Sequence, residues 1–169
     1  MTSIEIFGHA LGIFAMAWGF CTLQIKDAKR MMLFYVFLCL FFGIHYLCLG
    51  AFVGFCMNMV GVLRNAVYYF GYNVKWLQHR AVPIVFTVIC GVLGFIFREN
   101  NTYAFLMIAG LTINSFCLSF KNTQNIRKSI LVTSPMVLIY NLLVPSWGGA
   151  IYESFAILSA LIGIFKNKE

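Results

Sequence analysis

Charge is scarce in this sequence. Asp, Glu, Lys and Arg make up 10% of its 169 residues against 62% hydrophobic ones, where a soluble domain carries about 25% charged and about 45–50% apolar residues. That balance excludes a soluble enzyme. Proline is scarce too, at three, and there is no Ser/Gln-rich tract and no run of like charge, which removes disordered and fibrous readings. The six cysteines (Cys21, Cys39, Cys48, Cys56, Cys90, Cys117) form no CxxC pair and no Cys/His ligand spacing. They read as small core residues, and no metal and no cofactor is expected. Walker, HExxH and GxSxG motifs are missing as well, so neither a nucleotide-driven step nor an enzymatic activity is expected.

What is present is apolar length. Mean hydropathy is +0.88 and 18 residues are Phe. A spanning helix needs about 20 residues, so the chain has room for about seven spans. Bounded by charge or turn residues, they fall at 4–23, 31–48, 52–72, 81–97, 103–120, 130–144 and 148–165. Leu49-Gly50-Ala51 and Pro145-Ser146-Trp147 make tight hairpins of spans two and three and of spans six and seven. The first run has Glu5 instead of a basic n-region and no A-x-A site, so it reads as a helix and not a signal peptide.

The connections alternate in charge. Lys26, Lys29 and Arg30 follow span one, Lys75 and Arg80 span three, Lys121, Arg127 and Lys128 span five, and Lys166 and Lys168 span seven, whereas the opposite side has Arg98. Lys and Arg are retained in the cytoplasm, which predicts the N-terminus outside and the C-terminus inside. Tyr72, Trp76, Tyr103 and Trp147 stand near span ends, where interfacial aromatics belong. The net charge of +7 is then explained by anionic lipid at the cytoplasmic face, with no nucleic-acid partner.

An internal repeat is visible. Phe20-Cys21 matches Phe116-Cys117, and with a one-residue adjustment Leu47 falls on Leu142, Gly54 on Gly149, Val62-Leu63 on Ile157-Leu158 and Phe70 on Phe165. Two three-span units have the same orientation when an odd number of spans separates them, and span four supplies one. The expected fold is thus all-α, seven transmembrane helices in a 3+1+3 parallel-repeat arrangement. Residues 1–72 form the first three-helix repeat, 73–102 a linker helix and 103–169 the second repeat. Parallel repeats are related by an axis along the membrane normal and place a polar site near mid-membrane between them.

The segment from Thr22 to Phe70, with His45-Tyr46-Leu47-Cys48-Leu49-Gly50 and Arg64-Asn65, resembles the YgjV family of bacterial inner-membrane proteins. Tyr140-Asn141, Gly148-Gly149 and Glu153 resemble its second half. Tyr140 stands where a His-Asn pair is expected and Gly61 where an Asn is. The resemblance implies a multi-pass protein of the bacterial inner membrane and carries no biochemical role with it. The family's helix arrangement is similar to that of SWEET and PQ-loop transporters, although Leu23-Gln24 replaces the Pro-Gln dipeptide of the latter.

Polar residues inside the spans are the candidate site, because a charge at the bilayer centre costs about 2.5–3.5 kcal/mol on insertion scales and needs a partner or water. Arg64 lies midway along span three and Glu153 in the second turn of span seven. They read either as a charge pair lining a solute cavity, with Glu153 as the proton-coupling candidate, or as a structural pair that fixes packing. His45 and Asn141 lie one turn from the outer ends of spans two and six. Asn58 and Asn65, two turns apart on one helix face, and Asn114 in span five can bind a solute or bond between helices. Trp18 is placed either to stack on a ring-shaped solute or to pack. Glu5 and His9 sit near the outer end of span one. Pro135, beside Thr133 and Ser134, reads as a hinge or a static kink. Gly110, Gly148 and Gly149 permit close helix approach.

Two functions compete: a small secondary transporter or facilitator of a neutral or zwitterionic polar metabolite, and a non-transporting scaffold or complex subunit. Expected partners are membrane lipids and a small polar solute, and a homodimer is compatible with either. A retinal sensor is disfavoured because span seven has no internal Lys.

Overall fold

The computed structural model describes residues 2–25, 27–98, 103–119 and 123–166. Lys26, Lys121 and Lys168 of the basic connections lie outside the described residues, as does the side chain of Lys166. Among the described residues the fold is all-helical: α1 (Ser3–Gln24), α2 (Ala28–Cys48), α3 (Phe52–Gly71), α4 (Ala81–Ile96), α5 (Ala104–Cys117), α6 (Thr123–Leu143) and α7 (Trp147–Lys166), with a 3₁₀ turn at Lys75–Gln78 before α4.

Local chemistry sets the ends. At the start of α1 the Thr2 hydroxyl accepts from the Glu5 amide and the Glu5 carboxylate accepts from the Thr2 amide, a capping box. Asp27 caps α2 by accepting from the Arg30 amide. The α2–α3 hairpin is a Schellman turn. Gly50 takes φ +72°, its amide donates to the Leu47 carbonyl, and the Ala51 amide donates to that of Tyr46.

Helix α6 starts seven residues before the apolar stretch that marks it in the sequence. Its first turns are polar, but the hydroxyls bond within the helix, Ser129 to the Ile126 carbonyl and Thr133 to the Ser129 carbonyl. Arg127 donates to the Gly163 carbonyl of α7. A helix persists where its backbone is satisfied, so its start need not coincide with the onset of hydrophobicity.

Among the described residues, four helices (α1, α2, α6, α7) are long and apolar enough to cross a membrane. Helix α3 has 20 residues but carries Asn58, Arg64 and Asn65. Helices α4 and α5, at 16 and 14 residues, reach about 24 and about 21 Å at 1.5 Å per residue, short of a hydrocarbon core of about 30 Å. The outer surface is apolar: Ile13, Leu63, Val88, Val132, Ile139, Leu158, Ile162 and Phe165 are all exposed. Water would not tolerate that density of exposed apolar groups, and lipid does.

The helices pack in a closed ring. Helix α1 lies between α2 and α7, α2 packs on α3, α3 on α5, α5 on α6 and α6 on α7, while α4 covers α3 and α5. The buried face of α1 consists of Gly8, Gly12, Ala15, Gly19 and Thr22, a stripe of small residues that brings backbones close. Two ends follow. One carries both hairpins, the exposed Trp147 and Tyr103, and Arg98, whose guanidinium lies 4.0 Å from the Phe95 ring centre. The other gathers Lys29, Arg30, Lys75, Arg80, Arg127 and Lys128 beside the exposed Trp76. We call them the hairpin end and the basic end.

Candidate functional site

A cavity of about 90 Å³, apolar over most of its wall but carrying several polar side chains, lies among α2, α3, α5, α6 and α7, with room for several waters, one needing about 10–15 Å³ by this measure. Its walls follow from helical periodicity. Helix α2 contributes Tyr35, Leu38, Cys39, Phe42 and Tyr46, and α6 contributes Ile130, Thr133, Ser134, Val137 and Asn141, each set spaced 3, 4, 7 and 11 residues along one helix face. The sets match one to one, each α6 residue standing 95 positions after its α2 counterpart. Helix α3 adds Asn58 and Arg64, α5 adds Asn114, and α7 adds Tyr152 and Glu153. Asn58 and Glu153 are also 95 positions apart.

Arg64 is 4% exposed. Its Nε and Nη2 donate to Asn65 Oδ1, at 3.2 Å each, and Asn65 Nδ2 donates to Cys39 Sγ at 3.4 Å. Asn65 therefore lies behind the arginine and holds it. Glu153 is half-buried on the opposite wall with the Ser134 hydroxyl beside its carboxylate. Arg64 and Glu153 line one cavity, and no ion pair joins them. They are the only charged residues among its described lining residues, so the walls are charge-balanced while each charge is solvated by neutral groups.

Asn58 turns its amide back to the Gly54 carbonyl, 2.8 Å away, as a solvent-poor helix allows. Asn141, 1% exposed, accepts from the Tyr46 hydroxyl, and its Nδ2 has no protein partner. That donor is buried against Gly149, 2.8 Å from where a Cβ of that glycine would stand. Tyr46 and Asn141, which touch each other, also stand 95 positions apart.

Besides Asn65, two expected site residues lie outside the cavity walls. His45 is fully buried near the hairpin end, with Nδ1 2.7 Å from the Gly8 carbonyl and Nε2 2.7 Å from Ser146 Oγ, so it ties α1 to the start of α7. Trp18 stacks on Phe34 at 4.9 Å and donates its indole N–H to the Phe34 carbonyl; it packs α1 on α2. Of the residues near the start of α1, Glu5 serves the capping box and the His9 ring lies 6.3 Å from that of His45. Pro135 takes the backbone donor from the Leu131 carbonyl one turn earlier, next to the cavity residue Ser134.

Tyr35, Tyr46, Tyr152, Thr133 and Ser134 complete the lining and did not stand out as site residues from sequence. The available signal was periodicity: Tyr35, Cys39 and Tyr46 share one face of α2, as Ser134 and Asn141 share one of α6. No group of three or more His, Cys, Asp or Glu among the described residues could hold a metal ion. The walls can hydrogen-bond a small polar molecule and present it with one positive and one negative charge. A family model, Imp-YgjV, described as a bacterial inner membrane protein, matches residues 6–169. No curated protein and no solved structure matches the chain.

Proposed function

The chain belongs to the Imp-YgjV family of bacterial inner membrane proteins, and from that premise we propose that it is a small secondary transporter or facilitator, moving a neutral or zwitterionic polar metabolite through the cavity between two three-helix units. The observation that carries the reading is the cavity itself. Arg64 and Glu153 are costly to bury, and a purely structural role would favour their direct contact, yet they stand apart on the walls of one cavity. A multiply charged solute would meet no matching excess charge there; a polyol, amide or amino acid would.

The matched α2 and α6 linings and the Tyr46–Asn141 contact support a 3+1+3 arrangement with units 1–72 and 103–169 about a linker helix in 73–102. So does the ring, because an axis exchanging the units turns the α1–α7 contact into the α5–α3 one. With the basic end in the cytoplasm, the N-terminus lies outside and the C-terminus inside. Tag labelling in intact cells should reach an N-terminal tag and not a C-terminal one; equal access to both would overturn the seven-span count.

Solute uptake by vesicles containing the purified protein tests the function. Sugars, amino acids and vitamin-like solutes should include one whose uptake saturates. If Glu153 carries a proton, an inward proton gradient accelerates that uptake in wild type and not in Glu153→Gln; if it stays ionised, the gradient has no effect on either. Uptake untouched by Glu153→Gln, Arg64→Ala and Asn65→Ala alike would remove the site. Absence of flux for all three solute classes would favour the scaffold reading, in which the buried polar groups only fasten helices.

A further inference from the structure

A second cavity, of about 180 Å³, lies at the basic end. By the measure used for the central one it holds about a dozen waters, comparable with a phosphoglycerol headgroup. The segment between α3 and α4 builds it. Gln78 Nε2 donates to the Gly71 carbonyl at 2.8 Å and folds the 3₁₀ turn back over the end of α3, so that His79 and Arg80 stand on the wall beside Tyr72. Met32, Leu77 and Leu118 form an apolar floor. Leu118, 5% exposed, also lines the central cavity and separates the two.

The polar side of this cavity is a set of donors. The Arg80 guanidinium has no hydrogen bond or ion pair among the described residues. His79 Nδ1 accepts from the Ala81 amide at 3.2 Å, so the neutral ring has its proton on Nε2 and keeps that donor for a ligand. The Tyr72 hydroxyl is a third. No Asp or Glu is among the described lining residues. Asp27, whose charge reaches Tyr72, stands off the wall and caps α2. Lys29, at the same end, is engaged with Asn73 Oδ1 and lies over the Tyr69 ring. An open guanidinium fork beside two neutral donors, with no acid facing them, matches an anion that has several acceptor oxygens, as a phosphodiester has.

The surroundings fit an amphiphile. Trp76, 73% exposed, marks the level of the membrane interface. From Pro83 on the cavity wall, α4 runs toward mid-membrane with Ile84 and Val88 exposed, a face on which an acyl chain can lie. We propose that this cavity binds one anionic phospholipid, with its phosphate on Arg80, His79 and Tyr72, its glycerol over the apolar floor and a chain along α4. The site is independent of the transporter reading. Three chemical features select this ligand. A soluble phosphate would leave the floor uncovered. A zwitterionic lipid brings an ammonium that finds no carboxylate on the wall. An anionic headgroup gains from the surrounding basic end as well as from the site, since basic pockets at the cytoplasmic face attract such lipids.

The test is native mass spectrometry of the full chain, purified in detergent and titrated with phosphatidylglycerol, phosphatidylcholine or inorganic phosphate. Wild type should bind one phosphatidylglycerol about tenfold more tightly than phosphatidylcholine, the equivalent of about 1.4 kcal/mol, and excess inorganic phosphate should not displace it. Arg80→Gln should remove that preference. Lys128→Gln deletes the same charge from an exposed position at the same end and off the cavity wall; it should leave the preference intact. Should Arg80→Gln not stay monodisperse, His79→Phe carries the same arm, with a several-fold loss expected. Equal losses in Arg80→Gln and Lys128→Gln would mean attraction by the whole basic surface and overturn the site. Displacement by inorganic phosphate would make it a site for a free anion, and equal binding of the two lipids would remove its selectivity; either result overturns the proposal.

Discussion

Gly148→Ala is expected to leave little stable protein. A Cβ at this position would lie 2.5 Å from the carbonyl carbon and oxygen of Gly12, where α1 crosses α7. Those atoms are backbone and cannot turn aside, so the helices must separate. Separation loosens the contact along the small-residue face of α1, Gly8 through Thr22, which works only at short range. Overpacking usually costs about 1–3 kcal/mol, and the upper end applies because no side chain can absorb the strain. Thermal unfolding in detergent should show a large fall in midpoint together with loss of monodisperse protein. Gly91→Ala on α4 is the control: nothing lies within 4 Å of its Cβ position, and Ala favours a helix over Gly by about 0.8–1.0 kcal/mol. It should match or exceed wild type. A Gly148→Ala protein as stable as Gly91→Ala would mean that α1 and α7 do not cross there.

Arg64 and Glu153 should show a second large effect, one that separates a contact pair from two charges sharing a cavity. Arg64→Ala removes the guanidinium, leaves Asn65 Oδ1 without either of its donors, and turns a balanced lining into one with a lone carboxylate. About 3 kcal/mol is expected, in the range for an uncompensated buried charge. Glu153→Ala should cost less, because its hydroxyl neighbour Ser134 bears no charge and the carboxylate is only half-buried. A contact ion pair would give a coupling near the whole single-mutant cost, with Arg64→Ala more harmful than the double substitution. With no contact between the groups, the double-mutant cycle in detergent should give about 1 kcal/mol of coupling, above the roughly 0.3–0.5 kcal/mol that distant sites add within. Strict additivity would mean that the charges do not sense each other across the cavity; a coupling of several kcal/mol would mean that they are in contact.

Much of this protein is readable without a structure, for identifiable reasons. Helices in an apolar environment must satisfy their own backbone, so segment type followed from composition, and ends marked by Thr2, Asp27 and Gly50 fell within a few residues of where charge and turn residues put them. The exception is α6, whose polar first turns are bonded inside the helix and leave no hydrophobic mark. Intramembrane polar residues were equally visible, since a group such as Arg64 among Val, Leu and Tyr is conspicuous at any rotation of its helix.

What composition could not decide was which of those residues face a common space. That depends on the rotation of each helix about its axis, which is set by packing against partners distant in the chain. Trp18 and Asn114 are both candidate site residues in sequence, yet α1 turns its indole onto Phe34 and α5 turns the amide into the cavity. His45 and Asn65 became fasteners because Gly8, Ser146, Arg64 and Cys39 lie within hydrogen-bond reach of them, and three of those four partnerships join different helices. The sequence alone determined seven helical segments, two hairpins, one basic end and an inventory of polar groups. Tertiary packing decided which of those groups are walls and which are bolts, because a side chain's neighbours across a bundle depend on helix rotation and on crossings as close as that of Gly12 and Gly148, and neither is written in the order of residues along one helix.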